Sequence, residues 1–320
     1  IEFENGDPLA YSHLVFALGT KVNYFGISGL KQRCFTLKTF SDALAIRDTI
    51  IEKIYSTERD RGINIVICGA GSTGVELAAE LQEWFAELGR EGKKCNIQTT
   101  LIDASPSILS RLDKNVIRKA EKRLRKLRVN ILTKSPVEKV TRDQIILKGD
   151  VRLGYDILIW TGGIEANSLT QTLPFKKDTR GIEVDKHLKA KKLNKHTKLK
   201  GEVYVIGDSA VFRDTRNRVP VPQMARPAIS EGLVAANNII SNIAGKPEGE
   251  FYAIDYPYVV PVGGKYTIVK IGPFVISGLL GWVLKGLIEF WYLISIMPPK
   301  HALGIWYKGL LIFIKNDRLG

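Results

Sequence analysis

The stretch Ile63-Asn64-Ile65-Val66-Ile67-Cys68-Gly69-Ala70-Gly71-Ser72-Thr73-Gly74-Val75-Glu76 decides the fold. A short apolar run that breaks into glycines and then resumes with helical periodicity is a buried strand, a tight turn and a helix. In that setting Gly69 permits the turn, Gly71 lets the backbone approach a pyrophosphate at the helix N-terminus, and Gly74 allows close helix–strand packing. The helix is expected from about Thr73 to Leu88, with the next strand from Ile97 to Asp103. Asp103 follows the last glycine by 29 residues, more than the usual ~20, and a charged insertion at Gly89–Lys94 accounts for the excess. A carboxylate at Asp103 would accept ribose 2′-OH hydrogen bonds and repel a 2′-phosphate, favouring NADH over NADPH. Its other reading is a cap on the segment that starts at Ser105. Glu76, in the first helical turn, suits the helix dipole whatever its function; a place beside the nicotinamide is the alternative.

Outward from this stretch, a basic helix is expected from about Asp113 to Leu127. Short strands follow near Val129–Leu132, Val137–Val140, Gln144–Leu147 and Ile157–Trp160, the last ending in Thr161-Gly162-Gly163. Strand, helix, strand, helix in this order predicts a parallel sheet with crossover helices, so residues 62–164 form one Rossmann-like NADH-binding domain. Upstream lie a strand-like run, Leu14–Leu18, closed by Gly19, an amphipathic segment from about Ser41 to Tyr55, and a charged linker at Glu58–Gly62. Downstream, a Lys-rich connection leads to a second buried strand, Val203–Ile206, running into Gly207-Asp208. There an Asp at the carboxyl end of a strand could bond a polyol or phosphate, or could simply be a turn residue. A helix is expected from about Ala225 to Ile243.

The 320 residues are 45% hydrophobic and 25% charged, a balance that argues against long-range disorder. Cys34, Cys68 and Cys95 have no paired spacing, and His13, His187, His196 and His301 form no ligand cluster with them, so no metal site, disulfide scaffold or dithiol centre is expected. The chain opens Ile1-Glu2-Phe3-Glu4, with neither a basic nor an apolar signal region. It is expected to begin partway through a domain.

Four runs share an order and spacing: Tyr11-Ser12-His13-Leu14-Val15-Phe16-Ala17-Leu18-Gly19-Thr20, Ile65 to Glu80, Trp160-Thr161-Gly162-Gly163, and Val203-Tyr204-Val205-Ile206-Gly207-Asp208. In them the chain resembles the two-dinucleotide-binding flavoproteins, and among these the type II, single-subunit, non-proton-pumping NADH:quinone oxidoreductases. The resemblance implies hydride transfer from NADH to FAD, and electron transfer onward to a membrane quinone. It implies that Gly69, Gly71, Gly74, Glu76, Asp103, Gly162 and Gly163 hold NADH, that Gly19 and Asp208 contact FAD, and that Ala225 and its neighbour Arg226 lie between flavin and quinone. Arg226 and Ser230 stand where that family has glutamines, which puts the quinone in question. The family's first Gly-rich turn, which grips the ADP half of FAD, would lie upstream of Ile1, so activity is expected of a protein that carries it.

The implied fold is α/β, a Rossmann-like NADH domain inserted in a truncated FAD-binding domain and followed by a C-terminal amphipathic helical membrane-attachment region. Its segments are 1–61 and 165–265 for the FAD domain, 62–164 for the NADH domain and 266–320 for the tail. Missing paired thiols argue against a sulfur relay and for direct passage from flavin to acceptor. In the tail, Phe274 to Met297 has only Lys285 and Glu289 charged. As one helix it would reach ~36 Å, enough to span a bilayer. Gly278, Gly281, Lys285, Glu289 and Tyr292 nevertheless form one small-or-polar stripe, which favours a helix lying in the interface, with Trp306, Tyr307 and Lys308 as anchors. The expectation is a peripheral, monotopic protein on the cytoplasmic face of a membrane; a true span and a buried or homodimer-forming helix are the arrangements kept open.

Net charge is +14, and Arg111–Arg128 and Lys176–Lys200 contribute +7 each. No aromatic interleaving accompanies them, so nucleic acid is not an expected partner; anionic lipid headgroups or plain solvation fit better. The rival functions are a non-catalytic NADH-binding membrane protein and a flavoprotein reductase with a soluble acceptor.

Overall fold

The computed structural model describes residues 3–57, 61–90, 96–194, 201–214 and 219–316. Most of the expected Glu58–Gly62 linker, most of the Gly89–Lys94 insertion and Cys95 lie outside the described residues. The chain forms two compact units, one of residues 24–163 and 257–320, the other of residues 1–23 and 164–256.

The larger unit is built on a five-stranded parallel sheet with the spatial order Phe35–Thr36, Ile157–Trp160, Ile63–Cys68, Ile97–Ile102, Asn130–Leu132. Its central strand is Ile-Asn-Ile-Val-Ile-Cys, buried at every position but Asn64. Such a run has no solvent face, so helices must cover both sides. The glycine-loop helix Ser72–Arg90 buries Val75, Ala78, Ala79, Leu81 and Phe85, and the basic helix Lys114–Lys126 buries Val116, Ala120 and Leu124. Asp113 caps the basic helix by accepting the Asn115 N–H at 2.8 Å, as an N-cap carboxylate does. Helix Phe40–Ser56 starts with a capping box between Thr39 and Asp42. Its Ile46 and Ile50 join the same core as Ile65, Ile67 and Leu101. Residues 24–57 therefore pack with the glycine-loop unit, whereas the sequence boundaries placed them with the flavin segment.

Two further sheets belong to this unit. Val137–Val140, Gln144–Leu147 and Val151–Gly154 form an antiparallel meander. Tyr258–Pro261, Thr267–Ile271 and Phe274–Gly278 form another, contributing Val260, Val262 and Ile268 to the main core. This corrects the reading of residues 274–297 as one helix. Phe274–Gly278 pairs with Thr267–Ile271, and Gly278, at φ +81°, ends the strand in a conformation that favours glycine. The helix proper is Leu279–Ile296, ~27 Å long. It packs on the last two strands and pairs with helix Pro299–Asn316 as a hairpin. Gly281 sits so close to the Thr267 carbonyl that a Cβ there would be 2.1 Å from the oxygen. Trp306 Nε1 donates to the Gly286 carbonyl at 2.7 Å and its ring meets Phe290 at 5.3 Å.

The smaller unit joins short paired segments around Phe175, Leu188, Tyr204, Phe212 and Phe251. His13–Phe16 runs parallel to Glu202–Val205, so both strands end at one edge. Helix Ala225–Ile243 packs there, burying Pro227, Glu231, Ala235 and Asn238.

Candidate functional site

In the larger unit the glycine loop is locked by a second turn. Gly69, at φ +114°, would place a Cβ 2.4 Å from Cα and N of Gly162, and a Cβ on Gly74 would fall 1.9 Å from the Gly69 carbonyl oxygen. Gly162 is itself closed in by the Trp160 ring, 2.8 Å from its Cβ position. Thr161 Oγ1 donates to the Gly69 carbonyl at 2.8 Å, and its N–H donates to the Cys68 carbonyl at 2.8 Å. Of the three loop glycines, only Gly71 has open space around it, as close approach of a phosphate requires. Gly162 thus lies against the loop from the carboxyl end of the neighbouring strand, where open α/β sheets bind ligands, with Gly163 next to it in the chain.

Asp103 is fixed from both sides. Its Oδ2 accepts the Ala70 N–H at 2.6 Å and its Oδ1 the Ser105 N–H at 2.7 Å. The second contact is the turn role open in the sequence; the first ties the strand end to the glycine loop. Each oxygen keeps a lone pair free for a further donor. Glu76 has an exposed surface, yet protein crowds its carboxyl, and that desolvation raises its pKa from the ordinary value. Lys285 of the tail helix opposes the shift and Glu289 adds to it. Lys285 also pairs with Glu289 across one helical turn. The tail helix therefore brings charge to the first turn of the glycine-loop helix, which sequence spacing could not reveal.

In the smaller unit the strand ends at Phe16 and Val205 lead to Gly19, at φ +63°, and to Gly207, at φ +65°. Ser209 Oγ donates to the Gly19 carbonyl at 3.1 Å, binding the two turns together. Gln223 Nε2 donates to the Asp208 main-chain carbonyl at 2.7 Å. Ala225 and Arg226 open the following helix, exposed, after an N-cap, Met224, without a side-chain hydrogen bond. Ser230 Oγ donates to the Arg226 carbonyl at 3.2 Å.

Two roles are set by contacts that local sequence does not show. Thr161 stands in the Trp160–Gly163 run, but its hydroxyl's role is fixed only by a partner 92 residues away. Glu231, which the motifs do not single out, is 3% exposed, with Oε2 accepting the Gly207 N–H at 2.6 Å. The position, one turn of helix beyond the buried Pro227, was the available signal.

Cys68 is buried and Cys34 half-buried; both are free. Burial pushes the Cys34 thiol up to about 11 and the Cys68 thiol higher still, so neither is a thiolate nucleophile at neutral pH.

A parallel sheet whose glycine-rich turns meet at the carboxyl ends of adjacent strands defines a dinucleotide-binding α/β protein. The chain belongs to the pyridine nucleotide-disulphide oxidoreductase family, whose family model matches residues 2–232. A Dictyostelium discoideum protein described as "Probable NADH dehydrogenase" is 30% identical over 296 residues, covering 88% of this chain and 64% of that protein. The type II NADH:quinone oxidoreductase Ndh of Mycobacterium tuberculosis is 28% identical over 317 residues, covering 92% of this chain and 66% of that one. The chain thus spans about two thirds of the length of these relatives, and 45% of a Schizosaccharomyces pombe mitochondrial relative. The fold matches that of NDH2 from Plasmodium falciparum in complex with NADH, with a TM-score of 0.80 at 16% identity, covering 94% of this chain and 78% of that one.

Proposed function

We propose that the protein, in its complete form, is an FAD-dependent NADH dehydrogenase that passes electrons to a quinone at a membrane surface. The carrying observation is the glycine loop seated on the Gly162 turn, with Gly71 open at a helix N-terminus. The relatives named NADH:quinone oxidoreductases supply the electron donor and acceptor classes. The residues fit both nucleotides. Gly69, Gly71 and Gly74 would hold the NADH pyrophosphate, Asp103 the ribose, and Gly162-Gly163 the far side. Gly19 and the Asp208 carboxylate, at the carboxyl ends of a parallel strand pair, suit the polyol chain of FAD. FAD supplies the two-electron chemistry, taking up hydride; the protein orients it and shapes its electrostatics. Glu76, whose carboxyl holds its proton more tightly than usual through burial, would stand beside the nicotinamide and carry a proton there. Ala225 and Arg226 open the helix that would face flavin and quinone.

The tail hairpin supports membrane attachment. Leu280, Val283, Leu287 and Trp291 recur along one side of helix Leu279–Ile296, and all are exposed. The opposite side is occupied by the protein's own sheet. A helix so docked is suited to lie in the interface with one face in lipid, which supports monotopic attachment over a span; the cytoplasmic face is proposed from the unpaired cysteines.

The complete protein is expected to show oxidised-flavin absorbance that NADH bleaches and a short-chain quinone restores. Purified protein without flavin would sink the reading. Asp103→Asn, which keeps one acceptor and loses the charge, is expected to raise KM for NADH about tenfold and to narrow its preference over NADPH. Steady-state comparison of the two donors decides it; an unchanged ratio removes Asp103 from the ribose site.

A further inference from the structure

Glu231 is a carboxyl in the interior of the smaller unit, and its single hydrogen bond among those described goes to the main chain of the turn that carries Asp208. Gly207, whose N–H it holds, has the positive φ that sets the direction of the turn. The same turn is held from two other sides, by Gln223 on the Asp208 carbonyl and by Ser209 on Gly19. A small cavity of about 10 Å³ lies between Glu231, Gly207, Asp208, Gln223, Pro227 and Ala228. Two carboxyls, Glu231 and Asp208, therefore share one corner of the strand-pair edge. We propose that Glu231 is a positioning residue for flavin capture, whose carboxyl fixes the turn that presents Asp208 and takes up a proton when the nucleotide binds.

This inference rests on the flavin reading of Asp208. Among the described residues, Asp208 from the turn and Tyr256 from the chain after the helix are the titratable groups that face Glu231, and Arg226 and Ser230 stand near Tyr256. Burial pushes the Glu231 pKa up to about 7; the Gly207 N–H opposes the shift and Asp208 adds to it. The carboxyl is thus poised between its two forms at neutral pH. Negative charge and loss of water at this edge, both brought by binding of a dianionic dinucleotide, disfavour the ionised form further. Flavin affinity must then fall as pH rises through about 7, because the ionised carboxyl has to regain its proton from solvent before the nucleotide seats. The Asp208 side chain offers acceptor oxygens for hydroxyl groups.

The test is titration of the complete protein, freed of flavin, with FAD between about pH 5.5 and 8.5 across that midpoint, read by quenching of flavin fluorescence. The wild-type Kd is expected to rise about tenfold over the alkaline half of that range. Glu231→Gln keeps an acceptor for Gly207 and cannot ionise, so its Kd should stay flat and low. Glu231→Ala leaves Gly207 unclasped and should bind weakly at every pH, with NADH affinity unchanged as a control on the other unit. A Glu231→Gln variant that follows the wild-type pH profile overturns the proposal, as does a folded Glu231→Ala variant binding FAD like the wild type. FAD binding by the wild type with indifferent variants refutes only this role; a wild type that binds no FAD refutes the flavin reading as well.

Discussion

Gly69→Ala is expected to abolish NADH binding while most of the fold survives. A side chain at Gly69 would lie 2.4 Å from the Gly162 backbone, and backbone is the kind of neighbour that cannot rotate away. Added to the cost of a non-glycine residue at φ +114°, the clash places this substitution among the rare ones costing on the order of 4 kcal/mol. Relief requires the glycine loop to lift off the Thr161-Gly162 turn, breaking the bond from Thr161 Oγ1 to the Gly69 carbonyl. Loss of ~3 kcal/mol of preorganisation alone weakens a ligand more than about 100-fold. Isothermal titration with NADH, beside thermal unfolding, measures both effects. Gly71→Ala is the internal contrast, because that position is open; it should leave stability near wild type while still impeding close approach of a phosphate. An NADH affinity for Gly69→Ala within a few-fold of wild type would mean that the two turns are not the binding site.

The second large effect concerns the tail. Leu280 and Leu287 are 70% and 52% exposed in the folded chain, so replacing both with glutamate removes no core contact and should leave unfolding unchanged. If this face enters lipid, each leucine gives up the ~1.5–3 kcal/mol of a fully buried side chain. Two such losses lower the partition coefficient by roughly 10² to 10⁴. The double variant is expected in the supernatant when sedimented with lipid vesicles, where the wild type pellets. Gly281→Leu is a different lesion: it strikes the Thr267 carbonyl and should undock the helix and lower stability. Full pelleting of the double glutamate variant would refute insertion of this face.

Local order made the glycine loop legible in the sequence, because strand, turn and helix are contiguous and each leaves its own periodicity. The expected strand Ile63–Cys68 is the observed one, and the expected helices fall within a few residues of Ser72–Arg90 and Ala225–Ile243. Phe274–Gly278 was not legible, since a short uncharged apolar run suits a strand or a helix equally. Its partner strand Thr267–Ile271 made the choice. The packing of Ile46 and Ile50 with the parallel sheet was hidden for the same reason, being settled by contacts across the chain. At the sites, glycines announce themselves by type, whereas Glu231 and Thr161 matter through partners 24 and 92 residues away.

Thr161 Oγ1 closes on Gly69 across those 92 residues, and the core beneath the loop includes Val260, Val262 and Ile268. During synthesis, a nascent chain that has emerged only as far as Arg90 carries the whole glycine motif but no finished pocket. Closure of the loop waits for Gly162. The core waits longer, until the smaller unit's residues 164–256 have been threaded out and the last three strands return. Contacts of such separation form late and slowly. The apolar tail follows them off the ribosome, so the parallel-sheet unit and its apolar helical hairpin are completed almost together.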